Sequence, residues 1–157
     1  MVEVKVEIEY VLEVAWSPEQ ALDLVADVPR SAAFFPGLEG LDDLGDGLYR
    51  WNMRKFELGS FQHGVRYAAR YVTDQATRTV RWTTEPGDNN TIADGAWTVE
   101  PRGSGSRLVF RNSLVVSVPV PRLMARLARK SVPGITHKQV RTYLDRIATE
   151  MGGRRVG

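Results

Sequence analysis

The first fourteen residues constrain the fold more than any other stretch. Val2, Val4, Val6, Ile8, Tyr10, Leu12 and Val14 alternate with Glu3, Lys5, Glu7, Glu9 and Glu13. A period of two over this length is a long β-strand, dry on one face and wet on the other. A sheet built on such a strand needs an apolar layer across its dry face. The last stretch, Pro121 to about Met151, reads as the long helix that supplies it. Leu123, Met124, Leu127 and Ala128 recur at helical spacing, and so do Val140, Leu144, Ile147, Ala148 and Met151. On an ideal wheel the two sets fall on nearly opposite sides. Val132-Pro133-Gly134 lies between them, and Pro133 has no N–H for the helical ladder. A kink or short break at Pro133 is expected, letting both sets meet one sheet.

Between these ends the chain reads as two short helices and then strands. Ser17 suits an N-cap ahead of Pro18, opening a helix with Ala21, Leu22, Leu24 and Val25 as its buried stripe. Residues 27–36 read as a second short helix anchored by Phe34 and Phe35 and closed by Pro36-Gly37. Alternation and turn residues then place strands near 38–44, 49–54, 61–71, 80–83, 92–100 and 108–116. The order is one strand, two helices, six strands and a final helix. Residues 1–151 make a single domain on this reading, and residues 152–157 a flexible tail.

Composition narrows the class. The chain has no cysteine, which excludes disulfides and thiolate chemistry and is compatible with the cytoplasm, the expected location. No apolar run reaches membrane-spanning length, and the acidic start is unlike a signal peptide. Charge is lopsided: from Val120 onward there are nine Lys or Arg against two acids, while the remainder carries 12 basic and 17 acidic residues. A basic helix on an acidic body fits a solvated face, and it also fits contact with an anionic membrane or an acidic partner. No nucleic-acid reading motif accompanies it, so nucleic acid is not an expected partner.

The element order resembles the helix-grip fold of the START-like superfamily, which includes polyketide cyclases/dehydratases and lipid-transport proteins. The residues that carry the resemblance are Phe34-Phe35-Pro36-Gly37-Leu38, then Leu44-Gly45-Asp46-Gly47 with Trp51 in the next strand. A second set is Gly95-Ala96-Trp97-Thr98-Val99-Glu100-Pro101 running into Gly105-Ser106-Arg107-Leu108. The resemblance implies an α+β fold: a curved seven-stranded antiparallel sheet, two short helices after the first strand, and a long kinked C-terminal helix. It further implies a cavity between sheet and helix that holds an apolar or amphipathic small molecule.

The residues themselves support a pocket or a packed core. Trp51, Met53, Tyr67, Trp82, Trp97 and Phe110 share one sheet face, and the first half of the helix, with Leu123 and Leu127, is expected opposite them. Large aromatic side chains fill such a space as readily as they line it. Two polar residues interrupt the apolar phase: His63 in register with Phe61 and Tyr67, and Asn112 in register with Phe110 and Leu114. A polar group facing inward needs a partner, a water or a ligand. These residues form the candidate binding set, and His63 is the one candidate for acid–base work near neutral pH.

Metal and cofactor chemistry find no pattern here. The two histidines, His63 and His137, are far apart in sequence, and no clustered carboxylate motif or nucleophile elbow occurs. The leading expectation is a binding or carrier domain for a hydrophobic molecule such as a lipid, quinone or polyketide-like ring, with no cofactor. The alternatives are a cyclase or dehydratase using His63 in the same cavity, and an interaction module docking through the basic helix.

Overall fold

The computed structural model describes residues 1–157. The chain runs β1 (Val2–Val14), α1 (Pro18–Ala26), α2 (Val28–Ala32), β2 (Leu38–Asp43), β3 (Leu48–Met53), β4 (Phe56–Leu58) and β5 (Phe61–His63). It continues through β6 (Arg66–Asp74), β7 (Thr79–Thr84), β8 (Thr91–Arg102), β9 (Gly105–Val118), a 3-10 turn (Arg122–Met124), α3 (Ala125–Glu150) and β10 (Arg154–Arg155). Eight strands form one antiparallel sheet in the order β10-β1-β9-β8-β7-β6-β3-β2, and β4 and β5 form a separate hairpin. No helix is long and apolar enough to cross a membrane.

β1 obeys its alternation. Val2, Val4, Val6 and Ile8 are buried while Glu3, Glu7 and Glu9 are exposed, and the strand pairs with β9 from Val2 opposite Val118 to Val14 opposite Ser106. α1 starts where the sequence says. The Ser17 hydroxyl accepts from the Gln20 amide, and the Gln20 side chain accepts from the Ser17 amide, so two otherwise orphaned donors are satisfied reciprocally. α2 is shorter than the expected 27–36. It begins on an Asp27 cap and ends at Ala32, with Phe34 and Phe35 in the turn that follows.

Two departures change the strand pattern: the first places residues 61–63 in the separate hairpin, and the second gives the sheet its eighth strand. First, residues 61–71 are not one strand. The corner at Gly64-Val65 separates β5 from β6, and the Asn90 side chain fixes it by donating to the Gly64 carbonyl and accepting from the Arg66 amide. Asn89 likewise accepts from the Ala68 amide, so side-chain amides serve the start of β6 where a neighbouring strand would otherwise do so. Second, residues 152–157, expected as a flexible tail, return along β1. Arg154 and Arg155 pair with Glu13 and Leu12, and the Val156 amide donates to the Val11 carbonyl. Gly153 permits this approach, since a Cβ there would lie 2.0 Å from the Glu13 carbonyl oxygen.

The C-terminal helix also departs from its wheel. α3 runs unbroken through Pro133, so the short break allowed for there does not occur. Its core face is one stripe, Ala128, Val132, Val140, Tyr143, Leu144, Ile147 and Ala148, spaced by threes and fours. Without a reset of phase at Pro133, only Ala128 and, in part, Met124 of the first apolar set face the core, and Leu123 and Leu127 do not. Leu123 is 92% exposed and Leu127 43% exposed, whereas Leu144 and Ile147 are fully buried.

This assignment of faces is directly testable by chemical denaturation. Leu144→Ala is expected to cost about 2–5 kcal/mol, the range for emptying a tightly packed core site. Leu127→Ala is expected to change stability by less than about 1 kcal/mol, because surface truncations away from caps and strain do little.

Candidate ligand-binding cavity

The inner face of the sheet builds the site from adjacent strands. Trp51 on β3 lies opposite Tyr67 on β6, Tyr71 opposite Trp82 on β7, and Trp97 on β8 opposite Phe110 on β9. All of these rings except Tyr71 are buried to within a few per cent of full enclosure. From the other side Tyr143 of α3 and Phe35, after α2, close the aromatic circuit. Phe35 packs tilted against Tyr143 with centroids 5.3 Å apart, and Trp97 meets Phe110 edge-on at 4.9 Å. Trp51 and Tyr67 stack with an interplanar angle of 13°. Offset and edge-to-face contacts of this kind favour a fixed arrangement of rings over a mobile one.

The rings do not fill the space. A cavity of about 80 Å³, partly open to solvent, remains between sheet and helix. A single water needs roughly 10–15 Å³, so the space is genuine, but an apolar cavity that holds benzene is about 150 Å³. A ring-sized guest therefore enters only if lining side chains swing aside.

The lining separates the expected residues into two groups. Trp51, Met53, Tyr67, Trp82, Trp97, Phe110 and Asn112 all line the cavity. His63, Leu123 and Leu127 do not. His63 belongs to the β4–β5 hairpin, where its ring meets Phe56 edge-on and its Nε2 has no partner. The corner at Gly64 takes it off the face it would share with Tyr67 in a continuous strand. Burial, followed by the charge of Arg66, lowers its pKa and keeps it neutral. The helix contributes its middle, Thr136, Gln139, Val140 and Tyr143, rather than its first half. Tyr143 was legible as part of the spacing Val140, Tyr143, Leu144, Ile147; Ser31 carried no periodic signal at all.

The polar groups of the cavity are few and specific. Asn112 accepts a hydrogen bond at Oδ1 from Trp82 Nε1, 3.1 Å away. Gly95 sits between these two residues in register, on the intervening strand. A Cβ there would come within 2.7 Å of the Trp82 ring, so the bare backbone is what lets the indole reach across β8. The Ser31 and Tyr143 hydroxyls hydrogen-bond to each other. Trp51 Nε1, in contrast, is a buried donor with no partner. The Tyr71 hydroxyl lies near enough for this N–H to favour its ionisation, but not within hydrogen-bonding geometry of it.

Burial raises all three cavity tyrosines. Tyr143 is pushed up to about 12, with its Ser31 hydrogen bond and the Trp97 N–H working the other way. Tyr67 and Tyr71 are held well above the ordinary phenol value, first by burial and then by the neighbouring phenols. At neutral pH all three present O–H groups.

The chain matches the model for "Polyketide cyclase / dehydrase and lipid transport" over residues 1–152. It belongs to that family. Solved structures agree at the level of the fold. The Zhui aromatase/cyclase from Streptomyces superposes with a TM-score of 0.70 at 16% identity, covering 94% of this chain and 93% of its own. A START superfamily protein from Mycobacterium smegmatis gives 0.63 at 19%, covering 92% and 97%. Norcoclaurine synthase from Thalictrum flavum, solved with dopamine and hydroxybenzaldehyde, gives 0.61 at 19%, covering 94% and 87%. A search of curated proteins gives no match. The helix-grip, START-like architecture expected from the sequence is therefore the architecture of this family member.

The tyrosine shifts set a stability window. A phenol whose folded pKa is raised favours the folded state fully below its unfolded value of about 10, and that contribution is lost as pH climbs further. The urea midpoint is expected to hold up to about pH 10 and to fall steadily above it, because the unfolded chain releases the three phenolic protons that the folded protein retains. Tyrosinate absorbance should show Tyr67, Tyr71 and Tyr143 ionising only as the protein unfolds. Early, reversible ionisation of these residues would contradict their burial.

Proposed function

We propose that this protein binds a small apolar molecule, about one ring in size, that carries a hydrogen-bond acceptor such as a carbonyl oxygen. The observation that carries this reading is the unpartnered Trp51 indole N–H in the wall of an otherwise aromatic cavity. A buried donor without a partner costs about 1–3 kcal/mol, and a guest oxygen that accepts from it recovers that cost. Tyr67, Tyr71 and Tyr143 add protonated hydroxyls to the same wall, while the rings supply the apolar contact area. Family membership and the aromatic ligands in the norcoclaurine synthase structure support the same chemical class.

Binding is favoured over proton-transfer catalysis by what lines the space. The residues around it include no aspartate, glutamate, histidine or lysine. A cyclase or dehydratase that relies on a general base near neutral pH finds no group there with a suitable pKa. His63, the sequence candidate for that role, stands outside the wall.

The test compares acetophenone with ethylbenzene, two guests of similar size of which only the first carries an acceptor. Quenching of tryptophan fluorescence is expected to give tighter binding of acetophenone to the parent protein. Trp51→Phe should weaken acetophenone by roughly three- to tenfold, the value of one hydrogen bond, and leave ethylbenzene nearly unchanged. Equal affinity for both guests, or equal loss of both in the variant, would remove the acceptor from the proposal.

A further inference from the structure

The start of α3 presents a surface that neither the core nor the cavity uses. Leu123 is the most exposed large apolar side chain of the protein, at 92%, and Leu127 follows one turn later at 43%. Both belong to ordered helical structure, the 3-10 turn and the first turn of α3. Ala128 and Val132, which anchor this part of the helix to the core, are buried, so the two leucines point away from the body of the protein. Arg122, Arg126, Arg129 and Lys130 are exposed beside them.

These cations have no partners within the protein. The ion pairs of the fold engage Arg66, Arg70, Arg78, Arg102, Arg107, Arg111 and Arg155, and none involves the four at the start of α3. No acidic residue occurs anywhere between Glu100 and Asp145. The attraction to the protein's own acidic body that would explain a basic helix is therefore absent at this end of it.

From this juxtaposition we propose that the 3-10 turn and first turns of α3 dock on an anionic lipid bilayer, with Leu123 and Leu127 entering the interface and Arg122, Arg126, Arg129 and Lys130 contacting headgroup phosphates. The leucines decide between lipid and the other polyanions. A nucleic acid or an acidic peptide would neutralise the arginines but gain nothing from two projecting aliphatic side chains. An interfacial helix gains from both at once. Each cation near an anionic surface strengthens association by roughly fivefold at low salt, and the effect fades as ionic strength rises. α3 reaches the cavity only from Thr136 onward, so the docking surface stands independently of the proposed ligand site.

Co-sedimentation with vesicles of phosphatidylcholine alone, or of phosphatidylcholine with a phosphatidylglycerol minority, tests the proposal on the full chain. The protein is expected to pellet with the anionic vesicles at low salt, to be released by added salt, and to stay in solution with the neutral ones. The double variant Leu123→Ser/Leu127→Ser should lose about tenfold in vesicle affinity through lost apolar burial, with an unchanged melting temperature. Arg126→Gln/Lys130→Gln should lose at least as much at low salt and little at high salt. Failure to pellet with either vesicle, equal pelleting with both, or parental affinity in the leucine variant would overturn the proposal. So would retention of duplex DNA under conditions in which anionic vesicles are ignored.

Discussion

One α-helix cannot cover an eight-stranded sheet. With side chains a helix is about 10–12 Å across, whereas eight strands at about 4.8 Å spacing extend over roughly 34 Å. Everything on the inner face follows from that mismatch. α3 lies closest to β1, so the β1 side of the sheet is covered directly by Val132, Leu144, Ile147 and their neighbours. Toward β3 and β6 the helix is too far away, and the gap falls to large side chains. Trp51, Tyr67, Trp82, Trp97 and Phe110 reach up from the strands, and Tyr143 and Phe35 reach down to them. The cavity is the part of that gap the rings leave open.

A space closed by aromatic rings is apolar, but it does not exclude hydrogen-bonding groups, and here their arrangement is uneven. Trp82 is satisfied by Asn112, and Tyr143 by Ser31. Trp51 is not. Burial keeps the tyrosines protonated, so the wall presents donors and no strong base. Such a wall offers O–H and N–H donors to an oxygen-bearing guest. The same burial that raises the phenols makes an unmatched donor costly, which is why one indole N–H carries so much of the functional reading.

Much of this architecture was legible because it depends on local periodicity. The alternation of β1, the Ser17 cap and the face shared by Trp51, Trp97, Phe110 and Asn112 all survive intact. The misread parts depend on partners distant in sequence. His63 shares a period with Tyr67 only if the strand is continuous, and the side-chain amide of Asn90, more than twenty residues further along the chain, interrupts it. Leu123 and Leu127 have perfect helical spacing, yet spacing does not say which side of a helix meets protein. Ser31 joins the cavity through a hydroxyl on a residue more than a hundred positions away.

By itself, then, the order of residues determined the elements, the dry face of the sheet and the aromatic character of whatever lies against it, because side-chain direction within a strand or helix is fixed by backbone geometry alone. The tertiary structure decided which half of α3 faces the cavity, that His63 stands outside it, that Trp51 is left without an acceptor, and that two leucines face outward among unpaired arginines. Those outcomes turn on distances between elements and on which polar groups find each other. Neither is encoded in the period of any single segment.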